Sequence, residues 1–120
     1  MNADDYRFLL SNDKICFEKK RDENGNYIKI GDAEAVPAYN RLSTNGFMVY
    51  FIIASAESED EICDFPLAKE DVEYEFKNYK KRKKDRITFV GGVIELIDKG
   101  YLTLNNDNNK YTFHSRAIRK

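Results

Sequence analysis

The chain has 120 residues, 42% of them apolar and 34% charged, with a net charge of −1 at pH 7. That length suits one domain, 1–120, with a core able to bury roughly two thirds of the surface its unfolded form exposes. No apolar run approaches the ~20 residues a membrane span needs, and Asn2-Ala3-Asp4-Asp5 is polar and acidic rather than a secretory start, so no membrane partner and a cytoplasmic location are expected.

Residues 6–10, 14–19 and 26–30 read as three short strands, because Tyr6, Phe8 and Leu10 alternate, as do Ile15 with Phe17 and Ile28 with Ile30. Polar turns separate them, which predicts an antiparallel β-meander that packs on the rest of the chain. Residues 1–40 form this β-rich extension, and its free edge is a candidate for symmetric pairing of two copies. Cys16 and Cys63 lie far apart with no partner motif, so they read as ordinary reduced residues rather than a disulfide or a metal site.

Residues 31–40 read as a connector with a helical turn around 33–36 that Pro37 stops. Ser43 then caps a helix whose Phe47, Met48, Tyr50, Phe51, Ile52, Ile53 and Ala54 make it apolar over most of its circumference. The acidic segment 56–64 is expected as an exposed loop. Pro66 opens the next helix, with Leu67, Val72, Phe76 and Tyr79 as its apolar positions and Ala68 where a Ser or Thr cap is usual.

From 86 the pattern is one amphipathic helix running into a β-hairpin. Phe89, Val93, Leu96 and Ile97 share a stripe, while Thr88, Gly91, Glu95 and Asp98 face away from it. Asp85 is placed to cap the first N–H groups, and Gly100 follows Lys99 as a residue that tolerates φ > 0. Beyond it, Y-L-T-L and K-Y-T-F alternate on either side of N-N-D-N-N.

Charge is strongly segregated. Between 57 and 75 there are nine acidic residues against Lys69, a balance of −8; between 77 and 86 there are seven basic residues against Asp85, a balance of +6. The basic block leads directly into the last helix. Such runs are often only solvated faces, but this one abuts a helix N-terminus, where phosphate contacts are favoured by side chains and free N–H groups alike.

D-R-I-T-F followed by I-E-L-I-D-K-G-Y-L resembles the recognition helix and wing of bacterial winged helix-turn-helix domains, in the flavour of phage and plasmid replication or regulatory proteins of Gram-positive bacteria. R-L-S-T-N-G-F-M-V-Y-F-I-I-A resembles the first helix of the same group. The resemblance implies an α+β fold: three helices and a C-terminal β-hairpin wing over 41–120, carrying the N-terminal meander. It implies duplex DNA as partner, with a role in transcription regulation or DNA replication, and dimers on two half-sites. Lys77, Lys80, Lys81, Arg82, Lys83 and Lys84 would meet phosphates, Arg86 and Thr88 would lie in the first turn of the reading helix, and Lys110 in the wing, with Arg116, Arg119 and Lys120, would track the backbone.

The turn between the two helices departs from the group, because 76–85 is long and basic where three or four residues are usual; either the helix extends to about 83 or a basic loop is inserted. Gly91 and Gly92 read as lying on the outward or flanking arc and cost the helix about 2 kcal/mol relative to alanine. Close approach of another backbone, from DNA or from a protein helix, or simple tolerance, accounts for them. The alternative function is a protein-binding winged helix, such as a phage-encoded inhibitor that turns its acidic 57–75 surface to a basic site on a host nucleic-acid enzyme. No P-loop, G-x-G-x-x-G, metal-ligand cluster or nucleophile elbow is present, and the one histidine, His114, reads as a surface residue, so the chain is expected not to be an enzyme.

Overall fold

The computed structural model describes residues 2–78 and 87–118. Helix α1 (Ala3–Ser11) precedes two short strands, β1 (Lys14–Ile15) and β2 (Phe17–Glu18), and helices α2 (Asp32–Arg41) and α3 (Thr44–Ser55) follow. A 3₁₀ turn, Glu59–Glu61, leads to β3 (Phe65–Pro66), α4 (Lys69–Asn78), α5 (Phe89–Asp98) and the hairpin β4 (Leu102–Asn105) and β5 (Lys110–Phe113). The fold is α+β, and α5 lies at its centre, packed on α3, α4 and β4.

The expected N-terminal meander does not form. Residues 6–10 lie inside α1, which a capping box starts: the Asn2 side chain accepts the Asp5 N–H and the Asp5 carboxylate accepts the Asn2 N–H. Its buried stripe is Asp5, Phe8 and Leu9, at helical spacing. Asp5 is buried because its carboxylate accepts the Tyr111 hydroxyl at 2.8 Å, so the stripe is hidden from a reading that looks for apolar residues. Residues 26–30 contribute only an isolated bridge, Arg21 to Tyr27. The strands that do form pair elsewhere: β1 runs antiparallel to β3, and β2 lies parallel to β5 in a sheet ordered β2-β5-β4. With no meander there is no meander edge to pair two copies; β2 is instead an end strand of the sheet it forms with the hairpin.

Pro37 does not stop α2. The proline forfeits one backbone bond, but Glu34 reaches back to the Gly31 N–H at 3.2 Å and Leu42 N–H closes the far end on the Ala38 carbonyl. Residues 65–66 form a strand, so α4 begins three residues after Pro66. Ser43 caps α3 as expected, accepting the Gly46 N–H. At α5 the cap is Thr88, whose hydroxyl oxygen accepts the Gly91 N–H at 2.9 Å; Asp85, the residue expected there, lies outside the described residues.

The end of α5 matches the sequence reading closely. Gly100 has φ +88°, its N–H reaches the Ile97 carbonyl, and Tyr101 N–H reaches Leu96, the paired bonds of a Schellman ending. The hairpin register, Leu102 opposite Phe113 and Asn105 opposite Lys110, leaves four residues in the turn, with Asn109 in the left-handed region.

Cys16 and Cys63 are brought together, contrary to their distance in sequence. Phe17 N–H bonds to the Ile62 carbonyl, and the Cys16 Sγ accepts the Asp64 N–H at 3.1 Å. Burial and the neighbouring Cys16 thiol push the Cys63 thiol up to about 11. Both are free thiols.

Candidate nucleic-acid interface

Helix α5 is buried along its length from Val90 to Ile97, and the reason lies in its small residues. A methyl group on Gly92 would stand 2.4 Å from a Val49 methyl and 2.7 Å from the Asn45 carbonyl oxygen, both on α3. On Gly91 it would stand 2.6 Å from the Asn45 amide nitrogen and 2.9 Å from both Glu75 and Thr88. The two glycines let α3 and α5 approach closely, so they face the core and not an outward arc. Of the explanations open at the level of sequence, close approach of a protein helix holds, and the helix belongs to the same chain.

Polar groups buried at the two helix starts hold this contact together. Glu95, expected to face outward, is 5% exposed. Its carboxylate accepts the Ser43 amide at 2.8 Å and the Ser43 hydroxyl, at the positive end of α3, and the Lys99 ammonium at 3.1 Å. Burial pushes its proton affinity up, but the Ser43 hydroxyl and amide and Lys99 together outweigh burial and hold it below the ordinary carboxylate range. Lys99 also donates to the Arg41 carbonyl at 2.8 Å, which ties α2 to the same point. On the other side of α5, Thr88 donates to the buried Glu75 of α4 at 3.0 Å.

The described members of the expected site, Lys77, Thr88, Gly91, Gly92 and Lys110, lie on different elements. Lys80, Lys81, Arg82, Lys83, Lys84 and Arg86 lie outside the described residues, as does Tyr79, and with them the question of a helical or looped 79–85. Lys77 is exposed in the last turn of α4, and Thr88, half-buried, is committed to capping. Gly91 and Gly92 are covered by α3. Lys110 is half-buried on β5 and lowers the proton affinity of Glu18. Arg119 and Lys120 lie outside the described residues, while Arg116 pairs with Glu34 at 3.6 Å.

Glu18 is the anchor of the hairpin. Its carboxylate accepts from Thr112 at 2.7 Å, Asn108 at 3.0 Å and Asn105 at 3.2 Å, joining β2 to both hairpin strands and the turn. The Thr112 hydroxyl, against partial burial and helped by the two asparagines and Lys110, holds it below the usual carboxylate range.

A second cationic feature was not singled out from the sequence, although K-K-R at 19–21 signals it. A cleft of about 320 Å³ is lined by Lys19, Lys20, Lys29, Arg116 and His114, with Ile28 and Ile30 among its apolar walls. The Lys19 ammonium is fixed on the Ala54 and Ala56 carbonyls at the end of α3. His114 is half-buried rather than free on the surface: Nε2 is 2.8 Å from the Thr103 hydroxyl, and burial with Lys20 nearby lowers its proton affinity.

Among the described residues there is no group of three or more His, Cys, Asp or Glu able to hold a metal, and no helix long and apolar enough to cross a membrane. No known protein family, curated protein or solved structure matches the chain.

Proposed function

We infer that this protein binds duplex DNA through the phosphate backbone, as a small winged-helix regulator of replication or transcription. The observation that carries the reading is the position of the 77–86 run: seven basic residues, Lys77 in the last turn of α4 and six more in the sequence between α4 and α5, fall at the joint where a helix-turn-helix meets its duplex. The element order from α3 through β3, α4 and α5 to the hairpin supports it, since that is the order of a winged helix. Base reading by the helix face around Gly91 and Gly92 is not part of this proposal, because α3 occupies that face. Discrimination among sequences then rests on duplex shape or on the basic segment itself.

The test is duplex binding by anisotropy across a salt series. Affinity should fall steeply with salt, because each phosphate neutralised releases condensed counterion. Replacing Lys80, Lys81, Lys83 and Lys84 by Glu should abolish binding with the far-UV circular dichroism unchanged. Binding that survives this replacement removes the DNA assignment from the 77–86 stretch.

A second reading, a protein-binding winged helix that engages a basic site on a nucleic-acid enzyme, is favoured by the exposure of Glu57, Asp60, Glu61, Glu70 and Glu73 within the acidic segment. Absence of duplex binding by the unaltered protein at low salt selects it.

A further inference from the structure

Helix α3 carries no charged residue along its twelve positions, and its exposed residues are Thr44, Met48, Phe51 and Ser55. Their spacing of four, three and four places them in one seam along the helix. The seam has a further property: it is symmetric about the helix midpoint. Running a second copy antiparallel across it sets Thr44 against Ser55 of that copy and Met48 against its Phe51, so small residues meet at the ends and large ones at the centre.

The large residues are open to solvent. Phe51 is 60% exposed and Met48 38%; Tyr39, which lines a groove with both of them from α2, is 66% exposed, and Val36, one turn before it on α2, is 52% exposed. Tyr39 stands edge-on to Phe47 at 5.2 Å, and Phe47 stacks on the buried Tyr50 at 5.6 Å, so the patch is continuous with the core. Between α2 and α3 runs a groove of about 670 Å³, walled by Tyr39, Leu42, Phe47, Met48, Phe51 and Ile52. None of the residues lining it is charged. A charged headgroup or peptide would find nothing to pair with there, whereas a second α3 brings the Phe51 ring that such a groove accepts.

We propose that this face is a self-association surface, on which two copies of the chain pair antiparallel through α3, each Phe51 entering the other's α2–α3 groove. At 150–250 Å² per fully exposed aromatic, the exposed fractions of Phe51 and Tyr39 supply roughly half of an apolar area on the order of 500 Å² per copy, with Met48 and Val36 supplying the rest. Two copies would bury roughly 1,000 Å², the lower limit for a specific interface, so the dimer is a weak one in exchange with monomer. The pairing stands independently of the DNA reading, since it uses neither the basic run nor the hairpin.

Sedimentation velocity on the full chain tests this across about 1 to 200 μM, the concentrations at which a weak, exchanging dimer is expected to form. The unaltered protein should pass from monomer to dimer mass as concentration rises. M48K and F51E should each stay monomeric, at least tenfold weaker in association, with circular dichroism unchanged because both sites are on the surface. An equimolar mixture of M48K and F51E should associate again, since antiparallel pairing sets the introduced ammonium opposite the introduced carboxylate and leaves the native Phe51–Met48 pair on the other side. A monomeric unaltered protein at the highest concentration, dimers that persist in either single variant, or a mixture that stays monomeric would each overturn the proposal.

Discussion

Helices α3 and α5 pack against one another, yet burial falls on them in the opposite sense to their patterns. By sequence α5 is amphipathic, with Gly91, Glu95 and Asp98 on its polar side, and α3 is apolar nearly all round. In the structure α5 is covered on every side from Val90 to Ile97, while α3 leaves Met48 and Phe51 in solvent. Periodicity reports which residues tolerate water, and the neighbours decide which residues meet it. Glu95 is inside because the unpaired amide and hydroxyl of Ser43 at the start of α3 are worth more to it than solvent is. Phe51 is outside because α5 occupies only one side of α3 and no other described element covers the opposite side.

The sharpest way to break this comparison is Gly92→Ala. Helix propensity alone favours alanine by about 1 kcal/mol, but the added methyl would meet Val49 and the backbone of Asn45, so the two helices must separate. The expected outcome is a net loss of roughly 3 kcal/mol, read by urea unfolding. An unchanged or raised midpoint would mean that the glycines face outward after all.

Glu95→Ala comes next, with an expected loss of about 2 kcal/mol, since it removes the acceptor of the Ser43 amide and hydroxyl at the start of α3 and releases Lys99. Its pH dependence gives a second reading. Glu95 and Glu18 both hold folded-state proton affinities below the ordinary value of 4.5, so the stability they contribute is complete above that value. It disappears as pH falls through their lower folded values. The unaltered protein should lose melting temperature below about pH 4.5, and Glu95→Gln should flatten that slope. Equal slopes in both proteins would show that Glu95 does not carry the linkage.

Phe51→Ser should have the smallest effect on the monomer. Measured at low-micromolar concentration, where α3 faces are unpaired, it is expected to move unfolding free energy by less than about 0.5 kcal/mol, although Phe51 looks in sequence like a core residue. A loss of several kcal/mol would place that ring in the core.

The hairpin was legible from sequence because all its information is local: alternation in Y-L-T-L and K-Y-T-F, a glycine after a cationic turn, and Asn-rich turn chemistry. The same holds for the Ser43 cap and the helix behind it. Helix α1 was not legible, because alternation of Tyr6, Phe8 and Leu10 imitates a strand, and the residue that completes its helical stripe is an aspartate whose partner, Tyr111, lies at the other end of the chain. The dispersal of the candidate site has the same origin. That the basic residues cluster at 77–86 can be read directly, but that Gly91 and Gly92 are spent on α3 requires knowing where α3 packs.

Sequence by itself therefore determined pieces whose causes lie within a few residues: the Ser43 cap, the α5 ending, the hairpin and the segregation of acid from base. Tertiary structure alone decided what each piece faces: β2 lies parallel on β5, Cys16 lies beside Cys63, Glu95 reaches Ser43, and α3 keeps an apolar seam in water. The physical reason is range. A cap or a turn is satisfied by atoms a few bonds away, whereas burial is a property of whichever surfaces close over a residue, and those come from positions fifty or a hundred residues distant.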